Sequence, residues 1–136
     1  MKYLTLFTLL PFFSYAAEDI SVDYDEIHKP YFNVSCMNEK NQEKMDICGD
    51  KSLLEATNAM VLLVDSLIES NIEPFPELST KIKQSQTYWE QYHKINCEIE
   101  TYESLGGSGY HSIFNACIEM KVNERISYLK WLESNI

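Results

Sequence analysis

SQTYWEQYHKINCEIETYESLGGSGYHSIFNAC, residues 85–117, is the stretch whose reading decides the fold. Its first half carries Trp89, Tyr92, Asn96 and Ile99 at spacings of 3, 4 and 3, which sets them on one face of a helix. Gly106, Gly107 and Gly109 then stop that helix and reverse the chain before a second helix opens at HSIFNAC. Cys97 and Cys117 stand on either side of the reversal. A cystine between them would lock two antiparallel helices into a hairpin, and the remaining chain reads as packing built onto it.

Working outward, the last helix is expected from about Ser112 to Glu133, with Ile118, Val122, Leu129 and Leu132 on one stripe. The helix before the turn should begin near Leu78 to Thr80, pass through Ile82 and Ser85, and end near Glu103. Pro74 and Pro76 forbid helix just upstream, so Asn71 to Glu77 is a break. Before it, Leu53, Ala56, Met60, Val64 and Leu67 recur at 3, 4, 4 and 3, an amphipathic helix reaching about Glu69. A polar segment capped by Asn38 or Asn41 leads into it through Met45, Cys48 and Gly49. The run MVLLV, residues 60–64, is apolar all round, which asks for a central position or a covering subunit. Three helices with no credible strand predict an all-α fold: a small antiparallel three-helix bundle stapled by two disulfides.

The 136 residues have room for one domain, and their ends read differently from their middle. Residues 1–16 have Lys2, an apolar run from Tyr3 to Phe13, and small residues at Ser14 and Ala16, the layout of a signal peptide cut after Ala16. The apolar run is too short to span a bilayer. No cysteine follows it for lipid attachment and no later stretch reaches membrane length, so no membrane anchor is expected after cleavage. Residues 17–35 form an acidic lead-in, extended or disordered, whose Tyr31, Phe32 and Val34 could tack its end to the domain and whose His28 is read as solvated. Residues 36–134 are the helical domain. The implied location is exported, periplasmic or secreted.

Export makes the four cysteines a disulfide framework, and none of them sits in a Cys-x-x-Cys or Cys/His pair that a metal would need. Four cysteines allow three pairings. The sequential one, Cys36 with Cys48 and Cys97 with Cys117, is the expectation here, each bridge contributing about 3 kcal/mol by the chain-entropy model. The charge is acidic, 21 Asp and Glu against 11 Lys and Arg, or -10. Such a surface repels nucleic acid and attracts cationic partners.

Enzyme chemistry finds little support. His28, His93 and His111 are scattered, no nucleophile motif or phosphate-binding glycine loop is present, and no cofactor or metal is implied. Arg125 falls in the middle of an apolar stripe and should pair with an acid such as Glu55 or Glu90. Trp89 and Tyr92 read as core aromatics, although a ligand platform uses the same residues. The loop from Ser104 to His111 is either a plain cystine-anchored connector or a stiff projection able to enter a cleft. On the second reading Ser108, Tyr110 and His111 form the tip and Glu98, Glu100 and Glu103 the base of a partner-binding surface.

Taken in order, Cys36, Glu43-Lys44-Met45, Cys48, Ser85-Gln86, Trp89, Tyr92, Cys97, Gly106-Gly107-Ser108, Cys117 and Glu124-Arg125 resemble the N-terminal domain of LprI-type lysozyme inhibitors. The resemblance covers about Ser35 to Leu132. It departs at Thr57, Met60-Val61, Val64 and Val122, where the family usually has other, mostly polar residues, and at His93-Lys94, where the family has Arg-Asp. It implies a small exported helical domain that binds a protein, lysozyme or another cationic hydrolase, by obstructing its cleft. The alternative is an interaction module with no lysozyme affinity, a homodimer or a toxin-immunity protein, motivated by the Met60 to Val64 run.

Overall fold

The computed structural model describes residues 28–32 and 35–136; the expected signal and most of the lead-in lie outside that range. Three long helices, α1 (Gln42–Asn71), α2 (Pro76–Glu100) and α3 (Tyr110–Glu133), make up the bundle, and no strand occurs among the described residues. Short 3-10 turns at Lys29–Tyr31, Ser35–Asn38 and Tyr102–Ser104 complete it. The all-α three-helix expectation and both sequential disulfides hold: Cys36–Cys48 and Cys97–Cys117 are bonded, with Cα atoms 5.4 and 5.8 Å apart.

Local chemistry sets each helix boundary. Asn41 has extended backbone, and its side chain accepts a hydrogen bond from the Lys44 N–H at 3.0 Å, which starts α1. The helix runs through Gly49 without a break, so the two segments read separately in the sequence are one rod of 30 residues, about 45 Å long. Pro76 occupies the first turn of α2, where its missing N–H is no loss, and the helix therefore starts slightly earlier than Leu78. The α1–α2 corner closes when the Phe75 N–H donates to the Asn71 carbonyl at 3.0 Å and Ser79 Oγ to the Ile68 carbonyl at 3.1 Å. Helix α2 ends at Glu100, short of Glu103, because the chain tightens into a 3-10 turn on its way to Gly106, whose φ of 82° suits glycine. Tyr31, in the first short turn, accepts from Asn123 Nδ2 at 3.2 Å and so ties the lead-in to α3, while His28 is half-buried and not simply solvated.

The core is the line of Met60, Val64 and Leu67 from α1, Ile82 from α2, and Val122 and Leu129 from α3. Leu129 is 0% exposed. The MVLLV run is split by this packing: Met60 and Val64 are core, Leu63 packs against it, and Val61 and Leu62 face outward.

Helix α2 is rolled differently from the sequence expectation. Trp89 packs against the core, but Tyr92 and Ile99 are exposed, which corrects the reading of Tyr92 as a core aromatic. Cys97, 0% exposed, must face α3 to meet Cys117, and Gln86 must face Arg125. Those two requirements turn the inner line through Ser79, Ile82, Gln86 and Cys97 and carry Tyr92 and Ile99 round to the outside.

Candidate functional site

The polar machinery collects at one end of the bundle, where the α2–α3 turn folds down on the first turns of α1. Both cystines lie there. Cys97–Cys117 closes the base of the turn, and Cys36–Cys48 ties the 3-10 segment before α1 to its second turn. The Thr101 hydroxyl donates to the Cys97 carbonyl at 2.7 Å and fixes the exit of α2.

Two side-chain clusters then bind the start of α3 to α1. Ser112 Oγ donates to Asp46 Oδ1, and Gln42 Nε2 donates to the same carboxylate oxygen at 2.8 Å. These hydrogen bonds, the Ser112 one foremost, hold the Asp46 carboxyl below its ordinary pKa because they favour the charged form. One turn further along, Asp50 Oδ1 accepts from His111 Nε2 at 2.7 Å and from Asn115 Nδ2 at 2.6 Å. His111, expected at the loop tip, is therefore anchored to α1. Neither Asp46 nor Asp50 stood out in the sequence, because an acid on a polar helix face carries no signal until its partner on another helix is known.

The remaining predicted residues fall into two groups. Ser108, Glu98 and Glu103 are exposed around the turn. Tyr110 is half-buried and packs on Phe114 with ring centroids 5.7 Å apart. Glu100 makes a 2.9 Å ion pair with Lys121, and its other oxygen lies 3.3 Å from Cys117 Sγ. Although Cys97, Glu100 and Cys117 converge, both sulfurs are committed to the cystine and offer no thiolate to a metal. Gly106 holds the left-handed turn, and a Cβ at Gly107 would come within 3.1 Å of the Ser104 carbonyl, so both glycines shape the loop.

Arg125 has a different environment from the one expected. It is only 8% exposed, yet neither Glu55 nor Glu90 pairs with it: Nε donates to Gln86 Oε1 at 3.2 Å and an η nitrogen to Ser85 Oγ at 3.1 Å. Glu90 acts at one remove by accepting from Gln86 Nε2 at 3.2 Å, while Glu55 lies 3.9 Å from Lys51. The guanidinium carbon sits 5.7 Å from the Trp89 ring and 5.1 Å from the Tyr128 ring, and burial lowers its pKa. A neutral amide, a hydroxyl and two aromatic faces thus replace the acid, an arrangement built for packing between α2 and α3.

A cleft beside Cys36, Met45, Gly49, Ser112 and Glu119 has a volume of about 30 Å³. That admits two or three waters at about 10 to 15 Å³ each, far below the volume of a substrate pocket. The turn is thus braced on α1 by the two cystines and by the Asp46 and Asp50 hydrogen bonds.

The model of the lysozyme inhibitor LprI family matches residues 36–129, from the first cysteine to the most buried leucine of α3. The chain belongs to the LprI family. The two cystines and the turn they brace all fall inside the matched range. Among individual proteins, a subunit of the biogenesis of lysosome-related organelles complex 1, CNL1, from Eremothecium gossypii, is 35% identical over 57 residues. That is 42% of this chain and 41% of that relative, so the chain spans about two fifths of its length. No solved structure matches. Among the described residues no helix is long and apolar enough to cross a membrane.

Proposed function

We propose that this chain is an exported binding protein that docks on a cationic cell-wall hydrolase, lysozyme above all, and obstructs its substrate cleft. The observation that carries the reading is the LprI family match over residues 36–129. Two physical features support it. A charge of -10 steers a basic enzyme toward the molecule, with on-rates that fall as salt rises. The α2–α3 turn is already held by the Cys97–Cys117 bridge and by the Asp46 and Asp50 clusters, so little ordering is left for the binding step.

In this reading Ser108 and Tyr110 at the turn, with Glu98 and Glu103 beside them, meet the target, while His111 and Glu100 set the shape of the turn through Asp50 and Lys121. The oxidised protein is expected to slow lysozyme turnover at micromolar concentration in low salt, with the effect declining through a salt series. Glu98→Gln with Glu103→Gln should reduce the inhibition and flatten its salt dependence. Unchanged turnover at micromolar protein in low salt would overturn the proposal.

A further inference from the structure

Helix α2 has two apolar faces, and the bundle uses one of them. Opposite the inner line run Tyr88, Tyr92, Ile95 and Ile99, continued by Tyr102 in the following turn, at spacings of 4, 3, 4 and 3. Each of the five is between 55% and 71% exposed, as is Leu105 just beyond. At about 100° per residue, Ile95 lies roughly 160° round the helix from Cys97, so no rocking of α2 within its own bundle could bury this stripe.

The residue types are those of an interface centre. Two tyrosines, two isoleucines and a third tyrosine follow one another, with Gln91, Glu98 and Glu103 at the margin and no charge inside the stripe. With each tyrosine offering on the order of 150 Å², the six side chains present roughly 700 Å², near the ~800 Å² that each partner gives a standard interface and above the usual ~300 to 600 Å² of a monomer's largest patch. The order of residues selects the occupant. Tyr88 and Tyr102 are equidistant from Ile95, and Tyr92 and Ile99 flank it, so the stripe reads nearly the same in both directions. A two-fold contact needs such self-complementarity. A cationic target would instead be drawn to the carboxylates of Glu98 and Glu103, which stand beside the stripe and not within it.

We infer that the outer face of α2 is a homodimer interface, in which two copies pair their α2 helices antiparallel about a two-fold axis at Ile95, stacking Tyr88 on the partner's Tyr102 and Tyr92 on the partner's Ile99. Heptad-like 4, 3 spacing is the pattern with which paired helices interlock, and the antiparallel arrangement sets opposite helix-dipole ends side by side. Since both copies carry the same negative charge, salt screens their repulsion and tightens the dimer, opposite to the salt response of an acidic inhibitor meeting a basic enzyme.

Sedimentation velocity on the oxidised protein over a concentration series tests this directly. The expected result is a monomer–dimer equilibrium that strengthens with salt and weakens at least tenfold, about 1.4 kcal/mol, in Ile95→Glu. The helical circular dichroism of that variant should stay unchanged, and its melting temperature should equal that of the wild-type protein diluted to monomer, since Ile95 is not part of the core. Val61→Glu, an exposed apolar position on α1, should leave the dimer intact. Mild oxidation of Ile95→Cys should give a covalent dimer, and that of Lys94→Cys should not. A monomer at all concentrations and salts overturns the inference, and so does a dimer that survives Ile95→Glu. A dimer in which Ile95→Cys fails to cross-link overturns the register about Ile95.

Discussion

The two ends of this bundle are held together by different chemistry. Toward the α1–α2 corner, Met60, Val64, Leu67, Ile82, Val122 and Leu129 form a continuous apolar line. Toward the α2–α3 turn that line gives out, and two cystines, the Asp46 and Asp50 clusters and the Glu100–Lys121 pair take its place. The lesson is that a short helical domain can leave one end free of greasy burial, and so polar at its surface, when covalent and directional bonds fix its shape.

The contrast can be broken first at the apolar end. Leu129→Ala removes the most deeply buried leucine and should cost about 3 to 5 kcal/mol in a denaturant melt, by lost transfer energy plus the cavity left behind. A cost under about 1 kcal/mol would mean that the bundle does not depend on this core. At the other end, replacing Cys97 and Cys117 together by serine opens a loop with a sequence separation of 20 and should cost about 3 kcal/mol. Hydrogen exchange should then rise around residues 98–116 before it rises in α1.

Smaller effects sharpen the comparison. Gly106→Ala forces a side chain into left-handed backbone and should cost about 1 kcal/mol, with the loss of order confined to the turn. Ser112→Ala should move the Asp46 carboxyl up toward its ordinary value, observable by NMR titration. The sign follows from linkage: a carboxyl depressed in the folded state contributes stability above its unfolded pKa and loses it as pH falls through the folded value. Ser112→Ala should therefore lower stability at neutral pH, leave stability below the folded pKa almost unchanged, and so flatten the acid destabilisation of the turn.

Much of the architecture was legible from residue order alone. Periodicity marked the helices, the prolines and glycines marked the corners, and the count of cysteines with their spacing suggested the bridges. The roll of α2 was not, because Trp89, Tyr92, Asn96 and Ile99 satisfy helical spacing as well as Ser79, Ile82, Gln86 and Cys97 do. Only the partners of Cys97 and Gln86 on α3 choose between the two faces. The environment of Arg125 was hidden for the same reason: a glutamine at position 86 shows no charge to announce that it would stand where an acid was expected. At the candidate site, the residues of the turn could be named from their types, but the acids that anchor His111 and Ser112 lie more than 60 positions away and emerge only when α1 and α3 are side by side.

The bridge at the base of the turn has a consequence for timing. While thiols are kept reduced the turn lacks its covalent clamp and rests on the Asp46 and Asp50 hydrogen bonds and the Glu100–Lys121 pair alone, so that end is looser than the apolar one. Oxidation then adds a covalent constraint to the turn, so the order of that end of the bundle is tied to the redox state of its surroundings.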